Sequence, residues 1–263
     1  MIILGFDKSD VRLIFNMWRM TLADRYLGSA LGGAWALLNP LLLFALFTFV
    51  FGFVFQARLP GADSTLDYSI WLICGYGPWL ANTEALSAAS NSIVSNSGIV
   101  KNMSFKTEVL PISATLLGLV PLCVSLVFLL TLQIVNDFSI SISILWLPIV
   151  ILVQFLFLSA LGIMFSVITT FIRDFNIVLP NLLMIGLFAT PIFYPVEAVP
   201  SIIRNLTAFN PIYIISSAYR SVLLEQNSPQ ILPIVFLGLF AWGLLVFNLL
   251  IFRRIKGYFP AVV

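Results

Sequence analysis

Long apolar segments alternate with short polar segments over most of the chain, and their lengths predict helices that cross a membrane. A spanning helix needs about 20 apolar residues, because the hydrocarbon core is about 30 Å thick and each helical residue rises about 1.5 Å. Six charge-poor runs come close to or exceed this length: 35–55, 68–93, 109–135, 143–172, 175–194 and 231–252. The pattern predicts an all-α membrane protein with six transmembrane helices.

Residues 7–26 predict an amphipathic interface helix on the inner membrane surface rather than a span. Apolar side chains follow one helical stripe, and polar or basic side chains follow another. The apolar stripe comprises Val11, Ile14, Phe15, Trp18 and Leu22, and the polar stripe comprises Lys8, Arg12, Asn16 and Arg19. A helix of this kind lies in the interface plane with its apolar face in the membrane.

Residues 195–226 are too apolar for an aqueous loop, yet Arg204, Asn210 and Arg220 interrupt them below spanning length. Irregular backbone at membrane depth is tolerated where protein or a water-filled cavity surrounds it. The segment is therefore expected to be a re-entrant helical hairpin in the outer leaflet. Because the sequence shows no internal repeat and no low-complexity linker, residues 1–263 are expected to form one domain.

Lysine and arginine are distributed unevenly between alternate loops, which predicts the orientation in the membrane. Arg58, Arg204 and Arg220 lie on one side. The other ten basic residues lie on the opposite side: Lys8, Arg12, Arg19, Arg25, Lys101, Lys106, Arg173, Arg253, Arg254 and Lys256. Both termini are therefore expected in the cytosol.

Composition supports this class and excludes several functions. Of the 263 residues, 60% are hydrophobic and 9% are charged, against about 25% charged in soluble domains. Cys74 and Cys123 lie in apolar segments, which favours buried thiols over a disulfide. The chain has no histidine and only scattered acids, so neither a metal site nor a catalytic centre is expected. It also lacks a Gly-x₄-Gly-Lys-Ser/Thr sequence, so ATP-driven work requires a partner.

Residues 95–108 predict a short amphipathic helix between the second and third spans. Its apolar side chains are Ile99, Val100, Met103 and Phe105, and its basic side chains are Lys101 and Lys106. A helix with one apolar and one basic face suits the groove of a soluble partner. The alternative is an ordinary loop that carries lysines on the inner side.

Five short motifs occur in the order found in one transporter family. They are RYLGSALGGAWALLNPLL (25–42), GYGPW (75–79), FIRDF (171–175), TPIFYP (190–195) and FNPIY (209–213). Over essentially its whole length the chain resembles the type-2 ABC transporter permeases that export polysaccharides. The resemblance implies a homodimer in the bacterial inner membrane. It also implies that each protomer binds a separate ATPase subunit, which in turn binds ATP and Mg²⁺.

The resemblance also implies a lipid-linked polysaccharide as cargo, with O-antigen preferred over capsule or teichoic acid. No cofactor in this chain and no nucleic-acid partner are expected. A type-2 ABC exporter of drugs or lipids is one alternative. A membrane-embedded sugar transferase is another, but it would need paired carboxylates or a nucleophile with its base.

In such exporters the loop after the interface helix lies at a cytosolic gate, where a lipid-linked glycan presents its pyrophosphate. A guanidinium binds two phosphate oxygens at once, and glycines let the backbone approach an anion. The expected headgroup and gate residues are Arg19, Arg25, Tyr26, Leu27, Gly28, Gly32 and Trp35. Alternatively, these arginines bind ordinary anionic lipids.

Phe44, Phe47, Phe51 and Phe55 recur at three- and four-residue spacing, so they share one helix face. Flat apolar rings pack well on the C–H faces of sugars. In the family the first and fifth spans line the conduit, which makes Phe188, Phe193 and Tyr194 further candidates for the channel lining. The alternative is that the stripe faces lipid or a neighbouring helix.

Two charged features complete the expectations. Glu84 is the one acid well inside a predicted span, and its depth near the inner interface predicts a structural or gate-proximal role. Arg173 and Asp174 occupy the very short fourth loop, where the family also carries an Arg-Asp pair. They are expected to form a local ion pair or to contact the ATPase.

Overall fold

The computed structural model describes residues 5–56, 65–102, 105–135 and 141–263, and within these ranges all regular structure is helical. The first half contains α1 (Lys8–Asp24), α2 (Gly32–Val54), α3 (Thr65–Ser95), α4 (Ser97–Asn102) and α5 (Val109–Val135). The second half contains α6 (Ile142–Phe171), α7 (Phe175–Ala189), α8 (Ser201–Thr207), α9 (Pro211–Leu223) and α10 (Ile231–Val262).

Four of these helices, α2, α5, α6 and α10, are long and apolar enough to cross a membrane. They correspond to the first, third, fourth and sixth predicted runs, so the six-span prediction is confirmed as far as these four. The second run lies within α3, which has 31 residues. The fifth run is helical only over the 15 residues of α7.

The helix of the fifth run ends at Ala189 rather than continuing to Tyr194. Thr190 is extended, with φ −97° and ψ 137°. A proline disfavours the helical conformation of the residue before it, and Pro191 follows Thr190 directly. Residues 190–195 consequently form a non-helical turn, called here the far turn.

The central helix is α3, which packs against α5, α6, α7 and α9. Ala81, Ala85 and Ala89 lie four residues apart on α3 and are fully buried. Gly118 and Gly162 face this stripe: a Cβ on Gly118 would meet the Ala81 carbonyl oxygen, and one on Gly162 would lie 2.9 Å from the Ala89 Cβ. Such small residues let membrane helices approach closely.

A buried glutamine links three helices inside this core. Gln154 on α6 donates from Nε2 to the Asn82 side-chain oxygen at 2.8 Å and to the Pro78 carbonyl at 3.1 Å. Its Oε1 accepts a hydrogen bond from the Tyr219 hydroxyl of α9 at 2.7 Å. Every polar atom of the Gln154 side chain therefore has a partner, which buried amides require.

At one end of the bundle, α1 packs on the start of α5 through Leu13, Ile14 and Met17. Val11 and Phe15 are exposed on its other side. This end also holds α4 and the end of α10, and it is called here the α1 end. The amphipathic helix predicted for residues 7–26 is present, although its apolar face is divided between the protein and the surroundings.

The opposite end holds the far turn with α8 and α9. Asn210 accepts from the Ile212 amide at 2.9 Å at the start of α9, and its Nδ2 donates to Thr190 Oγ1 at 2.9 Å. Residues 195–226 thus contain two α-helices, as expected, preceded by a short 3₁₀ helix at Val196–Ala198. Their insertion into the outer leaflet stays a prediction.

The two cysteines are unpaired thiols. Cys74 is buried, as predicted, whereas Cys123 is exposed on α5, so burial of Cys123 was the wrong prediction. The reason is physical: an apolar position on a membrane helix can face either protein or lipid, because both environments are apolar.

Candidate functional site

Arg25 and Glu84, which lie 59 positions apart in the sequence, form an ion pair at the α1 end. Arg25 directly follows α1, and its Nη2 donates to Glu84 Oε2 at 2.9 Å while Nη1 donates to Oε1. The planar guanidinium fork matches the two carboxylate oxygens. The hydrogen bond to Glu84 raises the pKa of Arg25 above its ordinary value. Two residues that the sequence singled out for separate reasons are therefore in direct contact.

This pair lies in an open cleft of about 680 Å³ between α1, α3 and the first part of α5. The other lining residues are Thr21, Asp24, Thr83, Ser87, Ala88 and Leu117. Asp24 and Glu84 together oppose the single positive charge of Arg25, so the cleft carries a net negative charge. An anion that binds Arg25 through the same guanidinium edge competes with Glu84 for the Nη1 and Nη2 donors.

The remaining predicted gate residues do not line the cleft. Gly28 and Gly32 adopt φ values of +80° and +49°, and a Cβ at either position would meet nothing within 4 Å. Glycine is therefore favoured there by backbone conformation. Leu27 and Trp35 are exposed, Tyr26 is half-buried, and Arg19 is exposed on α1.

The predicted phenylalanine stripe lies in two different environments. Phe44 is only 1% exposed and packs within the chain against Tyr76 and Phe128. Phe47 and Phe51 contact Phe193 of the far turn, with ring centroids 4.9 Å and 4.8 Å away. These rings form an aromatic cluster between α2, α3 and the far turn.

The outer members of the predicted lining are more accessible. Phe55 is 68% exposed and Phe188 is 48% exposed, while Tyr194 is half-buried and donates its hydroxyl to the Phe188 carbonyl at 2.7 Å. Phe49 and Phe53, which belong to another face of α2, are also exposed. A channel lining for any of these rings stays a prediction.

Among its described residues, the predicted coupling segment contains the short helix Ser97–Asn102, with Lys101 exposed and Ile99 half-buried. Met103 lies outside the described residues, and Phe105 packs in the apolar cluster at the α1 end. Lys106 turns toward α1, where its Nζ donates to Asp10 Oδ2 at 2.6 Å and to the Gly5 carbonyl at 2.9 Å.

The Lys106–Asp10 hydrogen bond raises the pKa of Lys106 and lowers that of Asp10. Two residues after Lys106, Glu108 points toward α10. It is 1% exposed and accepts from Arg253 Nε at 2.9 Å, with Lys256 Nζ at 3.5 Å. Lys106 therefore connects the segment after α4 to α1, and Glu108, two residues later, connects it to the end of α10.

Arg173 and Asp174 are both exposed in the short connection between α6 and α7. Arg173 Nη2 donates to the Val262 carbonyl near the end of α10 at 3.3 Å. The arginine is therefore bonded to the last helix. Asp174 immediately precedes α7.

A model of the ABC-2 type transporter family matches residues 12–224, from α1 through the end of α9. The chain belongs to the ABC-2 type transporter family. The resemblance to type-2 ABC permeases is thereby confirmed, and as an ABC-2 transporter the chain is a multi-pass membrane protein.

This ABC-2 transporter chain is similar to proteins named as O-antigen export system permeases. One from Myxococcus xanthus is 26% identical over 228 residues, which are 86% of this chain and 85% of that protein. Two from Klebsiella pneumoniae are 28% identical over 245 residues and 29% identical over 235 residues. The Klebsiella matches cover 90% and 87% of this chain and 90% and 88% of those proteins.

Glu108 and Tyr76 of this ABC-2 transporter were not among the site residues predicted from the sequence. Glu108 could have been suspected, because it is an acid next to an apolar run on the side of the membrane that holds Arg253 and Lys256. Tyr76 belongs to the GYGPW motif, but only the fold places its ring 4.7 Å from that of Phe47. Both residues connect elements far apart in the sequence.

Proposed function

We propose that this chain is the membrane-spanning permease subunit of an ABC exporter that moves a lipid-linked polysaccharide, O-antigen above all, across the bacterial inner membrane. The observation that carries the proposal is the similarity, over 86% to 90% of the chain, to relatives named as O-antigen export permeases. Energy comes from ATP hydrolysed by a separate subunit that binds ATP and Mg²⁺. This chain itself carries no cofactor and performs no enzymatic reaction.

In the proposed arrangement, α2, α3, α5, α6, α7 and α10 cross the membrane, with both termini in the cytosol. The 31 residues of α3 extend over about 46 Å, enough for a tilted span that reaches the interface. The 15-residue α7 extends over only about 22 Å, and the far turn completes the crossing. The helices α8 and α9 form the re-entrant hairpin in the outer leaflet.

The cleft beside Arg25 is the proposed entry site for the cargo headgroup. The pyrophosphate of a lipid-linked glycan displaces Glu84 and takes over the guanidinium fork. Arg19 adds positive charge nearby, and Tyr26, Leu27 and Trp35 form the adjacent gate. Glu84 thereby becomes a competitor that keeps the site closed to weakly bound anions.

Two copies of the chain enclose the proposed conduit. The accessible rings Phe55 and Phe188 are the best candidates for its lining, because a side chain buried within one protomer, such as Phe44, has no free surface for cargo. The ATPase subunit docks at the α1 end, where Lys101 and Asp174 are exposed. The Lys106 and Glu108 pairs then pass movement of α4 to α1 and α10.

Reconstitution with the ATPase subunit tests this proposal. We expect ATP hydrolysis that depends on both subunits and rises when a lipid-linked O-antigen is added to the vesicles. Stimulation by a capsular or teichoic acid glycan instead would reassign the cargo, and stimulation only by drugs or phospholipids would overturn the polysaccharide proposal. Sugar transfer by the chain alone would favour a transferase.

The entry site has its own test in Arg25→Ala. Export of surface polysaccharide should fall sharply while the dimer and its complex with the ATPase assemble normally. Arg12→Ala is the matched control, because Arg12 is exposed on α1, carries the same charge and lies outside the cleft lining. Equal export by wild type and Arg25→Ala would count against the headgroup assignment.

A further inference from the structure

Arg220 of α9 is a buried cation at the far end of the bundle. It is 8% exposed, and in the part of the chain that the structure describes no carboxylate lies within ion-pair distance of it. Its Nη1 donates to the Pro191 carbonyl at 3.0 Å, and its Nη2 donates to the Ile192 carbonyl at 2.8 Å. Because burying an unpaired charge is costly, an arginine held in this way needs an explanation.

The face of the guanidinium is also occupied. Its central carbon lies 3.7 Å from the centroid of the Trp71 ring on α3, a cation–π contact. Gly75, one helical turn further along, makes room for the group: a Cβ there would lie 2.5 Å from Arg220 Nη2. Arg220 is thus clamped between α3 and the far turn.

Three of the motifs found in the sequence meet at this one side chain. Gly75 belongs to GYGPW, the two accepting carbonyls belong to TPIFYP, and α9 starts within FNPIY. Asn210 of the last motif adds a second tie, since it bonds to Thr190 at the start of the far turn. The motifs therefore build one junction.

The junction determines where Phe193 lies. Phe193 directly follows the two residues held by Arg220, and its own carbonyl accepts from the Tyr68 hydroxyl at 2.9 Å. Its ring is 4% exposed and stacks on Phe51 of α2 with an interplanar angle of 10°. A turn held at successive carbonyls cannot swing its aromatic ring away from α2 without breaking these bonds.

We propose that Arg220 is the positioning residue of a far-end gate, in which it holds the far turn so that Phe193 closes against α2 in the resting transporter. The inference rests on the proposed export function, because a gate requires a conduit. Opening breaks the bonds from Arg220 to Pro191 and Ile192 and separates Phe193 from Phe51. While these bonds are intact, in the resting state, the aromatic cluster seals the conduit.

The test measures resting leakage from vesicles that contain the permease with its ATPase subunit and an encapsulated small polar dye, without ATP. Arg220→Lys keeps the charge but loses the planar fork, and Arg220→Met removes the charge. Each should raise the leak at least about tenfold, as expected when a hydrogen bond to a charged group is lost. Arg204→Lys is the matched control, because Arg204 is exposed and bonds to the Glu197 and Val199 carbonyls rather than to those of Pro191 and Ile192. Vesicles with this variant should leak no more than vesicles with the wild type.

Phe193→Ala should leak in the same way, and combining it with Arg220→Lys should add little, because both act through one element. A second measurement leaves Arg220 intact. Cysteines replacing Phe51 and Phe193 are joined by a bifunctional thiol reagent, and the locked protein should stop exporting. Assembled Arg220 variants that leak no more than wild type, or normal export by the locked protein, would overturn the inference. Glycan-stimulated ATP hydrolysis in the same wild-type vesicles reports separately on the proposed function.

Discussion

The competition between Glu84 and the cargo for Arg25 can be tested by changing Glu84 to glutamine. The Glu84→Gln change keeps the side-chain volume and one acceptor oxygen but removes the negative charge. In the wild type an incoming anion competes with Glu84 for the Arg25 donors, and the two paired side chains are 43% and 23% exposed. Since an ion pair this open to solvent contributes about 0.2–1 kcal/mol, removing the competitor should tighten binding by up to about fivefold.

The assay uses a short-chain isoprenyl pyrophosphate as the probe, with binding followed by tryptophan fluorescence in detergent. We expect tighter binding to Glu84→Gln than to wild type, a smaller difference in high salt because of charge screening, and weak binding to Arg25→Ala. The isoprenyl alcohol without phosphate should not distinguish the variants. The double variant should bind like Arg25→Ala alone, because Glu84 acts only through Arg25.

Asp24→Asn is the matched control for the charge change. Asp24 lines the same cleft, so its loss alters the net charge equally but leaves the Arg25–Glu84 pair in place. It should therefore give the smaller gain in affinity. Competition between Glu84 and the cargo would be excluded if Glu84→Gln bound no tighter than wild type, or if its gain persisted when Arg25 was alanine.

Three further outcomes are expected. Gln154→Leu should lower the free energy of unfolding by about 2–4 kcal/mol, because three hydrogen bonds at about 0.6 kcal/mol each are lost and buried partners are left unpaired. Thermal unfolding in detergent measures this change, and an unchanged melting temperature would contradict it. The Lys106–Asp10 pair should hold α1 in place above the ordinary Asp pKa of 3.8 and release it as acid protonates Asp10, whose pKa is lowered in the folded protein. Protection of the α1 backbone amides against hydrogen exchange should therefore fall below pH 3.8 in the wild type. In Asp10→Asn these amides should be less protected than in the wild type even at neutral pH. Phe55→Cys should react with aqueous thiol reagents and be shielded by bound glycan, whereas Phe44→Cys should stay unreactive; labelling of Phe55→Cys that ignores cargo would place that ring outside the conduit.

Periodicity and length predicted the helices well, because burying an apolar face is a local requirement that leaves a local pattern. The α1 helix, α2, α5 and α6 were expected within a few residues at both ends, whereas α10 begins where expected but continues ten residues past position 252, to Val262. The fifth run was overestimated, because composition continues past Ala189 while Pro191 ends the helix. Hydropathy measures the affinity of a segment for an apolar environment, and it changes little when a single proline restricts the backbone.

The partners of the charged residues were much less predictable. Arg25 was expected to face a phosphate and Glu84 to lie near the gate, but their contact depends on the angle at which α1 meets α3. Lys106 bonds to Asp10 of α1, which its position in a loop did not predict, while its contact with a partner subunit stays a prediction. Long flexible side chains bond to whichever opposite charge the packing brings near. The number of lysines and arginines in each loop predicts only the side of the membrane on which they lie.

From the amino-acid sequence one can predict the apolar helices, the amphipathic α1 and the transporter family, because these follow from hydrophobic length, local periodicity and motif order. The fold was needed to show which phenylalanines are buried, which acid bonds to Arg25, and that three motifs meet at Arg220. In a membrane protein the reason is general. Protein and lipid are both apolar, so hydrophobicity alone does not say which side of a helix faces its neighbours, and that choice comes from the close packing of small residues and the pairing of the few polar ones.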